Sequence, residues 1–427
     1  MKRVLCISPH FPPVNGPDMH RLRHMLPHLP ALGWDPVVFS VAPQHVEGAQ
    51  DPLLTSTLPD GLEQHVVGAL SPRLTRKVGL GNIGFRSWFQ LRRAVDHYLS
   101  GHTIDLIFFT TTVFTAIAHG PHWHRRYGVP FVVDLQDPWR NDYYLSLPKQ
   151  DRPRKFWFDH WQKTKLEAAT MPHAAGLLSV SDAYVETMQD RYPALRNRPA
   201  LTQPFGAAAS DFDVAATLPA PAKAVPGTVT LRYIGRGGRD MKTALTILFH
   251  AVRKGLETEP DLFYSLRLSF QGTSYAATGR GEKTVEPIAE ACGVADLVQE
   301  ETDRLPYFET LRSLMAADIL LVPGSDDAGY TASKLYPYIL ARRPLVALFH
   351  EQSSAVEVLI RTKAAAPITF DETGVTDDAI SRACDQLRAH LTGTRPAPQT
   401  DWAAFEPYTA SATTARIAAL FNRSLAT

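Results

Sequence analysis

The sequence predicts an α/β chain with a doubly wound parallel sheet in each of two halves. Three observations carry this. Short, unbroken apolar runs recur along the chain, each bounded by turn residues and followed by a helix-length segment. Continuous rather than alternating apolar runs suit strands of a parallel sheet covered on both faces. The pattern also stops at an Ala-, Pro- and Gly-rich stretch and begins again, in a chain of 427 residues, too long for one ordinary core.

In the front half the strand candidates are 3–8 (RVLCIS), 37–42 (VVFSVA), 104–111 (IDLIFFTT), 130–135 (PFVVDL) and 174–180 (AAGLLSV). A helix is expected from Pro17 or Asp18 to near Leu32, ended by the turn GWDP. The stretch 203–227 has no clear period and reads as a linker. Strands are then expected at 228–235, 264–272, 318–323 and 344–349, with a short VQEE run at 298–301. Helices are expected at 241–254, 283–291, 307–316, 374–391 and 409–425. The resulting domains are 1–205 and 228–400, with a linker at 206–227 and a terminal helical segment at 401–427.

Composition bounds the partners. The net charge is +1, but residues 1–205 hold 22 Lys+Arg against 17 Asp+Glu, leaving 22 against 26 for the rest. A mildly basic front half favours an anionic acceptor or membrane surface and is too weak to argue for nucleic acid. No apolar run approaches a membrane span, and the first residues enter strand-like sequence too early for a secretory signal. Cys6, Cys292 and Cys384 are far apart and form no CxxC, which fits a reducing cytoplasm without structural disulfides. Residues 71–99 mix Arg73, Arg76, Lys77, Arg86, Arg92 and Arg93 with aromatic and aliphatic side chains. They read either as a peripheral contact with the inner face of an anionic membrane or as an amphipathic helix packed on the domain.

Four stretches carry chemistry. In YIGRGGRDMK, Gly235, Gly237 and Gly238 turn a strand into a helix and let backbone N–H groups approach a ligand. Arg236, Arg239 and Lys242 add charges suited to phosphate. The spacing does not match GxGxxG, so a nicotinamide cofactor is not indicated. In YTASKLYPYILARRPLVAL, Ser333 is placed to cap a helix, and Pro337 is tolerated in its first turn. Backbone from Thr331 onward, with Lys334, would then face an anion. Both helix starts follow strands of one half and would converge at the carboxyl edge of its sheet, where a diphosphate is the natural guest. In FVVDLQDPWRNDYY, Asp134 ends a strand, Asp137 lies on the loop beyond and Trp139 follows. A carboxylate there is placed to orient an acceptor or take its proton, and a turn-forming Asp before proline is the plainer reading. In SPHFPPVNGPDMHR, Gly16 marks a close backbone approach, with His10 and Asp18 beside it. His20, His24 and His28 repeat at helical spacing, and His119, His122 and His124 cluster, but neither set has an HExxH or Cys pattern, so no metal is expected.

Taken together these stretches resemble the GT-B glycosyltransferases of the family-4 type. ISPHFPPVNG with its following helix is similar to the family's opening loop, and VVDLQDPWRNDYY to an Asp-Pro-Trp variant of its acceptor segment. GRGGRDMK is similar to the Gly-Arg…Lys segment that holds the donor diphosphate, and GYTASKLYPYILARRPLVAL to the donor loop and helix. WAAFEPYTASATTARIAALF resembles the terminal segment that crosses back to the first domain. The resemblance implies two Rossmann-like domains facing across a cleft, with acceptor bound by the first and a nucleoside diphosphate sugar by the second. It implies sugar transfer with retention of configuration and no metal or other cofactor. It assigns the donor diphosphate to the Arg and Lys of the Gly-Arg…Lys segment, and the reading of the residues puts Arg236, Arg239, Lys242, Lys334, Gly237, Gly238, Thr331 and Ser333 at the diphosphate, with Asp137, Arg236 and Lys242 closest to the chemistry. The acceptor would be a sugar, a lipid-linked sugar or a small molecule.

One departure stands out. The family's two donor-loop glutamates fall on Gly329 and Pro337 here. Asp326, Asp327, Tyr330 and Tyr338 are the candidates to line the nucleotide pocket instead. The loss keeps two other readings open: a donor-binding subunit without catalysis, and a nucleotide-sugar epimerase of the same fold.

Overall fold

The computed structural model describes residues 1–75, 80–153, 155–221, 226–327, 334–394 and 398–426. The chain divides into two compact units, Met1–Gly206 with Ala410–Thr427, and Ala207–Thr409.

The first unit is built on a seven-stranded sheet of β1 (Lys2–Ile7), β2 (Trp34–Val41), β3 (Glu63–Val67), β4 (Leu106–Thr110), β5 (Phe131–Leu135), β6 (Gly176–Ser179) and β7 (Ala200–Thr202). Its order is β3-β2-β1-β4-β5-β6-β7 and its pairings are parallel. The unbroken apolar runs have a direct cause in this architecture. Along β1, Leu5 and Ile7 enter the core on one face with Phe109, Trp123 and Phe131, while Val4 and Cys6 enter the core on the other with Leu22, Trp34 and Phe108. Successive strand residues point to opposite faces, so burying both faces requires an apolar residue at every position. The terminal helix Ala410–Leu425 supplies Ile417, Leu420 and Phe421 to the second of these cores. The Phe421 ring meets Trp34 at 5.4 Å and Phe108 at 4.9 Å, edge to face.

The second unit is built on β8 (Val229–Ile234), β9 (Leu266–Gln271), β10 (Val298–Glu301), β11 (Ile319–Pro323), β12 (Leu345–His350) and β13 (Ile368–Phe370), in the order β10-β9-β8-β11-β12-β13. These strands also pair in parallel. Glu300, fully buried on β10, accepts the backbone N–H groups of Thr284, Val285 and Glu286 at 2.9–3.0 Å and so satisfies the start of the helix Glu286–Ala291.

Local differences from the sequence expectations have physical reasons. The first helix is Met19–Met25, and a separate 3₁₀ turn covers Pro30–Leu32. Pro27 and Pro30 remove two of the N–H donors that a continuous helix to Leu32 would need. Within the stretch read as a linker, Ser210–Ala216 is a helix of the second unit, and the Tyr307 hydroxyl donates to Asp211 at 2.6 Å. In 71–99, the helix Trp88–Gly101 packs Leu91, Val95, Tyr98 and Leu99 into the first unit and leaves Phe89 exposed. Arg86 is buried with its Nε donating to the Leu70 carbonyl, whereas Arg76 and Lys77 lie outside the described residues. Among the described residues no helix is long and apolar enough to cross a membrane.

Candidate active site

In each sheet the strand order reverses beside its first strand, between β1 and β4 and between β8 and β11. At such a reversal the loops leave to opposite faces and open a crevice at the carboxyl edge, the usual ligand position in open α/β sheets. Of the sequence-derived candidates, Arg236, Lys334 and Asp18 lie on the segments that leave the carboxyl ends of these strands or begin the helices beside them, and Asp134 lies at the end of β5.

In the second unit, β8 runs into Gly235–Gly238, a 3₁₀ turn at Arg239–Met241 and the helix Lys242–Thr258. Arg236 donates to both carboxylate oxygens of Asp240, at 2.9 and 2.6 Å, and the Ser325 hydroxyl of the loop after β11 donates to the same carboxylate at 2.8 Å. Asp240 is held down to about 2, foremost by its hydrogen bond with Arg236. Close approach explains two of the glycines: a Cβ on Gly235 would lie 2.6 Å from the Lys334 amine, and one on Gly238 would lie 2.3 Å from the Asp240 carboxylate.

Lys334 begins the helix Leu335–Leu340, in which Pro337 is the third residue and loses no intrahelical hydrogen bond. Its amine reaches the Tyr233 hydroxyl at 3.4 Å and lies 5.7 Å from the centre of that ring. The amine is pushed down to about 7, first by burial and then by the positive charges of Arg236 and Arg304, with Asp240 pulling the other way. Tyr233 in turn donates to the Arg236 carbonyl at 2.8 Å, which ties the two cation-bearing loops together. Arg236, Lys334 and Arg304 thus lie close enough for their charges to act on one another, and cations gathered in this way are suited to a phosphate.

The remaining donor-side candidates are dispersed around this cluster. Arg239 and Lys242 are exposed. Gly237 donates to the Thr273 carbonyl at 2.7 Å. Asp326 is exposed and accepts the Thr243 N–H at 3.3 Å, at the start of the helix that Lys242 opens, and Asp327 is exposed beside it. Tyr338 is buried, its hydroxyl accepting the Ile234 N–H at 2.7 Å and donating to the Ile234 carbonyl at 3.0 Å, so it fixes the end of β8. Gly329, Tyr330, Thr331 and Ser333 lie outside the described residues.

In the first unit, Asp18 is 1% exposed and is the centre of the loops after β1 and β4. It accepts from the Thr111 hydroxyl at 2.9 Å and the Thr112 N–H at 3.1 Å, and His10 Nδ1 lies 2.9 Å away. Burial would raise its carboxyl, but hydrogen bonding and charge from His10 and the bonds from Thr112 and Thr111 bring it below the ordinary value. A Cβ on Gly16 would meet Asp18 at 2.9 Å and His10 at 3.2 Å, so this loop closes only over glycine. Asp134, fully buried at the end of β5, faces Arg21 Nε at 2.8 Å and accepts from Thr110 at 2.9 Å and Gln136 at 2.7 Å. Asp137 is exposed beyond it, its carboxyl raised by desolvation and then by the charge of Asp18. Trp139 is 1% exposed and stacks on Phe114 at 5.6 Å within the core.

Sequence reasoning passed over Asp240, Tyr233, Arg304, Thr111, Thr112, Arg21 and Gln136. Asp240, an acid within the cationic stretch GRGGRDMK, was the one legible signal; it meets Arg236 across the glycine loop rather than along a helix. Arg23 lies 3.1 Å from His20 Nδ1 and 2.7 Å from His24 Nε2, and His119 is buried between Trp88 and Trp123, pushed down to about 3 by burial.

Comparison with known proteins places the fold. The chain is similar over nearly its whole length to solved structures of two Rossmann-like units, the GT-B fold. One is "Trehalose-6-phosphate from E. coli bound with UDP-2-fluoro glucose", with a TM-score of 0.57 and 12% identity over 98% of this chain and 99% of that one. Another is Anabaena HepE in complex with UDP-glucose, with a TM-score of 0.53 and 14% identity over 100% and 98%. A third is a putative UDP-N-acetylglucosamine 2-epimerase from Listeria monocytogenes, with a TM-score of 0.50 and 12% identity over 98% and 95%. No family model and no curated protein sequence matches the chain.

Proposed function

We propose that this protein is a glycosyltransferase that moves a sugar from a nucleoside diphosphate sugar to an acceptor held by the first unit. The observation that carries the reading is the meeting of Lys334, Tyr233 and the Arg236–Asp240 pair at the carboxyl edge of the second sheet, where the Lys334 amine reaches the Tyr233 hydroxyl and that hydroxyl donates to the Arg236 carbonyl. Two of the fold neighbours were solved with uridine diphosphate sugars, which supports the same ligand class here.

Breaking the anomeric C–O bond of such a donor loads negative charge on the departing diphosphate. Arg236 and Lys334, with Arg239 and Lys242 at the neighbouring helix start, stabilise that charge as it develops, and this needs no metal. Asp240 acts on Arg236 rather than on the donor. On the acceptor side, Asp137, on the loop after β5 with its carboxyl raised by desolvation, would orient an acceptor hydroxyl, and with retention no strong protein base is required. His10 and Asp18 shape the loop beside it. Retention of configuration follows from the family resemblance.

Donor turnover tests the reading: the chain incubated with UDP- and GDP-sugars and candidate acceptors is expected to release nucleoside diphosphate only when an acceptor is present. The fold likeness to an epimerase favours a second reading, in which the donor alone is converted to its epimer. Acceptor-independent isomerisation followed by NMR would select that one, and nucleotide binding with neither reaction would select a donor-binding subunit.

A further inference from the structure

The helix Phe156–Thr170 of the first unit does not follow the burial logic of its neighbours. Its first six residues are FWFDHW, yet none of the four aromatic side chains is buried, and Trp157 and Trp161 are 73% and 54% exposed. The residues buried along its length are Glu167 and Thr170. Trp157, Trp161 and Lys165 recur at four-residue intervals and are all exposed, so they form one outward stripe.

The preceding short helix, Tyr143–Ser146, adds to the same surface. Tyr144 packs on Phe156 at 5.6 Å, while Tyr143 and Leu145 stay 64% and 47% exposed. This segment begins immediately after the β5 loop that carries Asp137. Charge surrounds the aromatics with one sign in excess: residues 140–165 hold seven Lys and Arg against three Asp. Of those three, Asp142 is paired with Arg140, Arg191 and His160, and Asp159 with Lys163. Lys149, Lys155 and Lys165 are exposed.

We propose that Tyr143–Leu145 and Trp157–Trp161 form a docking surface for an anionic lipid bilayer. Indole and phenol rings have an apolar body and a polar edge, which suits them to the headgroup boundary. Basic side chains around them gain energy near anionic lipid, and the gain falls with salt. Apolar burial and charge act together, so neither neutral lipid nor a soluble anion satisfies the whole surface. This inference stands apart from the sugar-transfer reading, because vesicle binding is measured without donor or acceptor.

The test is flotation of the full chain with vesicles of phosphatidylcholine alone and of phosphatidylcholine with phosphatidylglycerol. Wild type is expected to float with the anionic vesicles, less so at high salt, with a blue shift in tryptophan emission. Trp157→Ala/Trp161→Ala and Lys149→Glu/Lys165→Glu are each expected to lose at least about tenfold in partitioning. Both pairs are exposed, so circular dichroism and melting temperature should match wild type. Phe89→Ala/Arg93→Ala, on the helix Trp88–Gly101, should bind as wild type does. Failure of wild type to float overturns the proposal, as does binding lost through Phe89 and Arg93 but kept without Trp157 and Trp161.

Discussion

The guanidinium of Arg236 holds the carboxylate of Asp240 through two hydrogen bonds, 2.9 and 2.6 Å long, across the glycine loop that leads into the 3₁₀ turn Arg239–Met241. That grip orients Arg236 before any ligand arrives, so less side-chain freedom is lost on binding. Asp240→Ala should therefore weaken UDP binding severalfold, and a double-mutant cycle locates the effect. Arg236→Ala/Asp240→Ala should lose little more affinity than Arg236→Ala, since Asp240 acts mainly through Arg236 and otherwise only through its charge on Lys334. The pair is partly exposed, so the loss of stability should stay within about 1 kcal/mol in thermal melts.

Lys334 makes nucleotide binding depend on pH. With its amine pushed down to about 7, the empty protein holds it largely neutral at pH 8. A bound diphosphate favours the charged form, so binding above pH 7 takes up a proton and affinity falls as pH rises from about 7 toward 9. Calorimetry in buffers of different ionisation enthalpy should show proton uptake at pH 8 that disappears in Lys334→Ala.

Asp18 should govern acid stability of the first unit. Its folded pKa lies below the unfolded one, so its contribution is present above the unfolded value of about 3.9 and is lost as pH falls through the lower folded value. Asp18→Asn should melt several degrees below wild type at pH 7, because an amide cannot accept from His10, Thr111 and Thr112 together. The gap between the two melting curves should close below about pH 4.

The buried Arg21–Asp134 pair predicts strong non-additivity. Arg21→Ala leaves a carboxylate of 0% exposure without its cation and should cost about 3–5 kcal/mol in urea unfolding. Arg21→Met/Asp134→Leu removes both charges and should recover most of that loss. Additive losses would mean that the two groups do not share one interaction.

How much of this was legible in the sequence follows from where the determinants lie. The central strands were readable because both faces of β1, β4, β5, β11 and β12 are buried. The edge strand β3 is largely unburied, and β7 and β13 are three residues each, so they leave little periodic signal. Gly235, Arg236 and Lys334 could be picked out because glycines and cations at helix starts carry a meaning local to the chain. The pairing of Lys334 with Tyr233 spans 101 residues and that of Asp18 with Thr111 spans 93, and no local pattern encodes either. The helix Phe156–Thr170 was not among the sequence expectations, and the aromatic residues at its start are not buried.

The most direct measurement of the central claim is calorimetric titration of UDP and GDP into wild type, Lys334→Ala and Arg236→Ala at one pH and salt. A diphosphate seated on this cluster predicts that one nucleotide binds wild type and that each substitution weakens it at least about tenfold, roughly 1.4 kcal/mol, with the melting temperature little changed. Equal affinity in all three folded proteins would contradict it.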